Sequence, residues 1–200
     1  MTLPRPEAGT RERLIQAMAG ALQRRGLHGV GLTELLTQAD APKGVLYHHF
    51  PGGKSELAIA AIEATSVRVV ASIDRLIGAN ANPLEALREW VAMAQWQLER
   101  TGFERGCPLA TVALETTPED AEIRSALSDA FAAIRDRLCA LLVGAGLAPD
   151  RARRFAALVL ATYEGALMQA RVAGRGAVVT ESAALLLSLL QRELEEARPR

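Results

Sequence analysis

Lysine is nearly missing from this chain. Of its 23 basic side chains, only Lys43 and Lys54 are lysines and the rest are arginines. Histidine is confined to positions 28, 48 and 49, and cysteine to Cys107 and Cys139. Two distant cysteines make no disulfide framework. Set that far from the histidines, they offer no metal-ligand spacing either. Aromatic residues are 4% of the chain while alanine and leucine abound, a balance that favours helices over strands. Formal net charge is zero, so the chain as a whole carries no basic footprint for nucleic acid. No apolar run is long enough to span a bilayer. Residues 2–13 are polar and proline-bearing, with no apolar signal region. The expectation is therefore a cytoplasmic protein with no membrane partner. Cys107 is a candidate nucleophile, but such a thiol wants a base within hydrogen-bond reach, and every histidine lies before residue 50. No glycine-rich phosphate loop follows a strand, because no strand is expected. The chain reads as no enzyme, with no catalytic residue, no cofactor and no metal.

What is present concentrates at residues 31–54. Leu32, Leu35, Leu36 and Ala39 recur at helical spacing behind Gly31, a possible N-cap. Asp40 breaks the pattern, and aspartate tolerates a left-handed turn. Pro42 suits the start of a second helix, which ends near Phe50 because Pro51-Gly52-Gly53 cannot continue it. Leu46 and Phe50 share its inner face. Lys43 with Tyr47, and Gly44 with His48, share its outer face. A glycine there costs about 1 kcal/mol against alanine, a cost that close approach to another surface explains. Two short helices across a tight turn, the second with donors near its start, form the helix-turn-helix arrangement for a DNA major groove.

The run 42–50, followed by Lys54 and Leu57, resembles the DNA-binding head of the TetR family of repressors. The family pattern is a Leu-Tyr-x-His-Phe run, a short gap, then lysine and an apolar residue. Gly31 replaces a usual threonine, Asp40-Ala41-Pro42 replaces a usual Gly-Val-Ser turn, and the gap holds an extra glycine. Lys43 and His48 are the candidates for base contact, with Gly44 permitting approach and Val45 available to a thymine methyl. Thr33, Tyr47, His49 and Lys54 are the candidates on the phosphate side. The partner implied is double-stranded operator DNA.

Taken in order, residues 1–9 read as a loose arm. Residues 10–25 read as an amphipathic helix, with Thr10 a plausible N-cap and Arg11, Arg13, Arg24 and Arg25 solvated. His28 reads as a loop residue. Further helices are expected at 55–77, 83–100, 109–115, 118–143, 149–173 and 179–197, divided by glycine, proline and asparagine clusters. The fold class is all-α with about nine helices, divided into a head at 1–57 and a body at 58–200.

The body offers two further patterns. Leu158, Thr162, Gly165 and Ala166 make a small-residue face on one late helix, and Leu186, Leu189 and Leu190 make a large one on the last. Core packing explains some of these. In the resembling family the last two helices build a four-helix dimer interface, which implies a homodimer. The large side chains Trp90, Met93, Trp96, Phe103, Cys107, Tyr163 and Met168 gather in a chain otherwise poor in them. Core filling accounts for any one of them. Together they suit the wall of an apolar pocket, with Gln97 and Glu115 as polar groups that orient a small apolar or aromatic effector. Gly106-Cys107-Pro108-Leu109 resembles one branch of the family that senses drug-like or aromatic molecules. The resulting expectation is a dimeric repressor released from its operator by such a ligand. An activator, or a binder without a ligand, is the alternative within the family. A helical carrier or enzyme with a vestigial head is the alternative outside it.

Overall fold

A computed structural model describes residues 9–80 and 82–197. Among the described residues there are nine helices and no strand. They are α1 (Thr10–Arg25), α2 (Leu32–Gln38), α3 (Lys43–His49), α4 (Gly53–Ala79), α5 (Pro83–Arg100), α6 (Pro108–Ala113), α7 (Ala121–Gly144), α8 (Pro149–Ala173) and α9 (Ala177–Glu196). The expected N-terminal arm, apart from Gly9, lies outside the described residues.

The first three helices pack around Leu14, Met18, Leu22, Leu35, Leu46 and Phe50, all essentially closed to solvent. Gly9, not Thr10, is the N-cap of α1, and Thr10 opens the helix itself. The arginines of α1 are not simply solvated, as the sequence suggested. Arg13 donates to the carbonyls of Ala39 and Asp40, at 3.0 and 3.2 Å, and so ties α1 to the turn before α3. Arg25 pairs with Glu34 on α2, and Arg11 lies over the Phe50 ring at 5.3 Å. Arg24 reaches Gln38 at 3.5 Å.

The turn itself has the conformation its residues suggest. Asp40 takes φ 48°, and Pro42 is the N-cap of α3. After α3, Gly53 takes φ 67°, and a Cβ there would lie 3.2 Å from the Tyr47 ring. The extra glycine thus lets the chain turn sharply and lets Tyr47 rest on its backbone.

Helix α4 starts two residues earlier than its apolar periodicity indicates. Glu56 accepts the Gly52 N–H at 2.7 Å, which anchors that first turn. The helix runs unbroken through residues 57 and 58, where the sequence places the head–body division. Its buried Leu57, Ala58, Ala61 and Ile62 belong to one apolar core that reaches from α1 to α9. Helix α7 lies along α4, joined by Ser66 Oγ donating to the Ala130 carbonyl at 3.3 Å and by the Arg137–Asp74 ion pair. The Thr117–Asp120 segment is a turn before α7 rather than its first residues, because Asp120 accepts from the N–H and hydroxyl of Thr117. Arg151 holds Glu193 through two bonds of 2.6 Å and fastens α8 to α9.

Candidate nucleic-acid interface and ligand cavity

Helix α3 turns Lys43, Gly44, Tyr47 and His48 to solvent, while Leu46 is sealed in the core. Val45 and His49 are half-buried at the edges of that face. A Cβ built on Gly44 meets nothing within 4 Å, so the glycine is not required by packing inside the chain. Thr33 is exposed near the start of α2. Lys54, in the first turn of α4, is half-buried. Burial holds its ammonium below the ordinary lysine value, and the charge of Glu115 pulls the other way.

Glu115 belongs to the body, yet it is committed to the head. Its Oε2 accepts the N–H of Leu27 at 2.6 Å and of His28 at 3.1 Å, and the His28 ring nitrogen Nδ1 lies 3.3 Å away. His28 is therefore part of the junction rather than a free loop residue. Gly26 takes φ 68°, and a Cβ there would fall 1.7 Å from Glu115 Oε1. Two further contacts hold the end of α1. The Gly106 N–H donates to the Gln23 carbonyl at 3.2 Å, and Arg171 donates to the Arg24 carbonyl at 2.8 Å. Helix carbonyls at a C-terminus lack partners within the helix, and here the body supplies them. Glu115 thus has its Oε2 engaged at the junction, while its side chain also lines the cavity between α6, α7 and α8.

The large side chains do not form one wall. Trp90, Met93, Trp96, Gln97, Cys107 and Tyr163 line a cavity of about 390 Å³, which α4 completes with Thr65, Arg68, Val69 and Ser72. Trp90 and Tyr163 stack with centroids 4.2 Å apart. Trp96 is more than half exposed, with Arg100 over its ring at 4.9 Å. Met168 lines a second cavity, of about 520 Å³, between α6, α7 and α8, and Cys107 borders both. Phe103 lines neither. It takes φ 63° and packs on a small cluster with Leu98, Leu167 and Val179. The Cys107 thiol is pushed well above its ordinary value by burial first and then by the nearby Glu164, so it remains a protonated, unreactive group.

A family model for the bacterial regulatory proteins of the TetR family matches residues 14–61. A second, for the LmrA/YxaF-like transcriptional regulator C-terminal domain, matches residues 83–184. The chain is 35% identical over 169 residues to the HTH-type transcriptional regulator Rv0196 of Mycobacterium tuberculosis, covering 82% of this chain and 85% of that one.

The chain belongs to the TetR family of transcriptional regulators.

It is 27% identical over 183 residues to the HTH-type transcriptional regulator LmrA of Bacillus subtilis, covering 92% of this chain and 97% of LmrA. A crystal structure of a regulatory protein TetR from Rhodobacter sphaeroides superposes with a TM-score of 0.78 at 28% identity, covering 90% and 97% of the two chains. This TetR-family chain is a transcriptional regulator with a DNA-binding head, not an enzyme. Regulators of the family bind operator DNA and act as dimers. No helix among the described residues is long and apolar enough to cross a membrane.

The TetR-family body also rearranges the residues expected at a dimer face. Leu158 and Leu189 are exposed, and Gly165 and Thr162 are half-buried. Ala166, Leu186 and Leu190 are 5%, 6% and 0% exposed within the single chain, where they fill its own core. The outward apolar positions of α8 and α9 are Leu158, Met168, Val172, Leu185 and Leu189. Sequence reading missed Glu164, Arg171 and Leu167, which line the second cavity. A glutamate inside the apolar run 158–168 was the available signal for the first.

Proposed function

We propose that this regulator is a homodimeric repressor which a small apolar or aromatic molecule releases from its operator. The observation that carries the reading is the course of α4. Its first turn holds Lys54 next to the recognition helix, and its middle supplies Thr65, Arg68, Val69 and Ser72 to the cavity beneath Trp90 and Tyr163. One helix therefore borders both the DNA-facing head and a cavity of about 390 Å³. A ligand that fits the cavity better at one tilt of α4 shifts the population of head positions by its differential affinity for the two states. Planar ligands suit the site through stacking on Trp90 and Tyr163 and through the Met93 sulfur. Residues up to about 57 serve as the head and residues 58–200 as the body. The outward apolar face of α8 and α9 pairs two copies, and a two-fold pair presents two recognition helices to a two-fold operator.

The test is binding to the DNA upstream of the protein's own gene. Tighter binding there than to random duplex at physiological salt is expected. A ligand found through quenching of Trp90 and Trp96 fluorescence should weaken operator affinity, and operator should weaken ligand affinity by the same factor. Trp96→Ala should lower ligand affinity and spare operator binding in the absence of ligand. Equal binding to random duplex, or quenching ligands that leave DNA affinity untouched, would overturn the reading.

A further inference from the structure

The cavity between α6, α7 and α8 contains a carboxyl group that nothing in the junction or the head uses. Glu164 stands on α8 among Phe131, Leu167 and Met168, apolar groups that set the character of the cavity. Its Oε2 is closed to solvent and has no hydrogen-bond partner. The Cys107 thiol lines the same cavity. Burial pushes the Glu164 carboxyl up to about 7, so bringing a charge there is costly without a counter-ion. The cation bordering the same cavity, Arg171, is seven residues along α8, about 10.5 Å at 1.5 Å per residue. Its Nη2 is committed to the Arg24 carbonyl. Among the described residues no ion pair joins it to Glu164. Glu115, the other acid on the rim, has its Oε2 taken up by Leu27 and His28. An unpaired acid in an apolar chamber of about 520 Å³ is costly to keep unless something that enters the chamber matches it.

We propose that this cavity takes an amphipathic organic cation, with its apolar body against Phe131, Leu167 and Met168 and its ammonium group at the Glu164 carboxylate. A change of Glu164 rotamer brings the carboxylate from the wall into the chamber. The ligand's charge then supplies the partner that the chain withholds. The chamber is bounded by the groups that hold the end of α1, since Gly106, Glu115 and Arg171 all line it. A molecule seated there lies against the head–body junction. This inference narrows the effector reading given above and depends on a small molecule acting through the body.

Three probes with one skeleton test it: 4-phenylbutylamine, 4-phenylbutanol and 4-phenylbutyrate, measured by calorimetry on the full-length protein without DNA. The amine should bind at least about tenfold tighter than the alcohol, and the carboxylate weakest, as expected for one hydrogen bond to a charged group. Glu164→Gln should remove that preference. The ranking in the unmodified protein stands as a test even if the variant does not fold. Equal affinity for amine and alcohol, preference for the carboxylate, no binding by any probe at millimolar concentration, or an amine preference that survives Glu164→Gln would each overturn the proposal. If the amine binds through Glu164 but leaves operator affinity unchanged, the site stands and release by ligand is what fails.

Discussion

At the scale of single residues, the two lysines stand in different surroundings. Lys43 is exposed at the first position of α3, and base contact is the role proposed for it. Lys54 is half-buried in the first turn of α4, in a position suited to phosphate. Lys54→Ala should therefore weaken binding to all duplexes alike and lower the slope of log affinity against log salt by about one unit. Lys43→Ala should change which sequences are preferred, at about 1–3 kcal/mol for the base pair it reads. Titration of operator and random duplex across a salt series separates the two outcomes. A Lys54 variant that loses affinity for operator alone would reverse the assignment.

At the scale of elements, α8 and α9 face the core, the cavities and the outer surface at once. Their inner faces close the core through Ala166, Leu186 and Leu190, and α8 also borders both cavities through Tyr163, Glu164 and Met168. Their outward positions are what remains for a partner. Gly165 has no atom within 4 Å of a built Cβ, and Leu185 is 62% exposed, so substitutions there spare the chain's own packing. Gly165→Asp and Leu185→Arg should give folded monomers, with helical circular dichroism unchanged and operator affinity lost with the second half-site. Light scattering at micromolar concentration checks the mass. A wild-type monomer, or a double variant that stays dimeric, would remove this face as the interface.

At the scale of the whole molecule, the buried acid should leave a mark on stability. The Glu164 carboxyl is raised from 4.5 to about 7 in the folded chain. Between those values the unfolded chain has lost the proton and the folded chain retains it, so unfolding releases a proton and stability falls as pH rises through the window. Below the window both states are protonated, and above it both are ionised and the slope vanishes. The loss is on the order of 3 kcal/mol across the window. The titratable groups facing Glu164 do not oppose this: burial pushes the Cys107 thiol and the Tyr163 phenol upward, so both stay neutral there. Denaturant unfolding at stepped pH should show the fall in the wild type and its disappearance in Glu164→Gln. An identical slope in both would mean the acid is hydrated or paired in solution.

The head was legible from its residue types and spacings. Asp40 in the left-handed region, Pro42 at the N-cap and the outward Lys43, Gly44, Tyr47 and His48 follow from residue types and spacings within about twenty positions. The helices of the body were legible for the same reason, since glycine and proline punctuate them locally. The tertiary structure decided how each helix is rotated about its axis. Glu115 meets Leu27, 88 positions away, and no local pattern specifies such a pairing. Helix α8 carries apolar residues on its inner and outer faces alike, so periodicity could not say that Ala166 packs inward while Met168 faces out. For the same reason the large side chains read as one wall became two cavities and a separate site for Phe103. Local chemistry chooses the element, whereas the partner of each face depends on which neighbour excludes water from it, and that is a property of the packed whole.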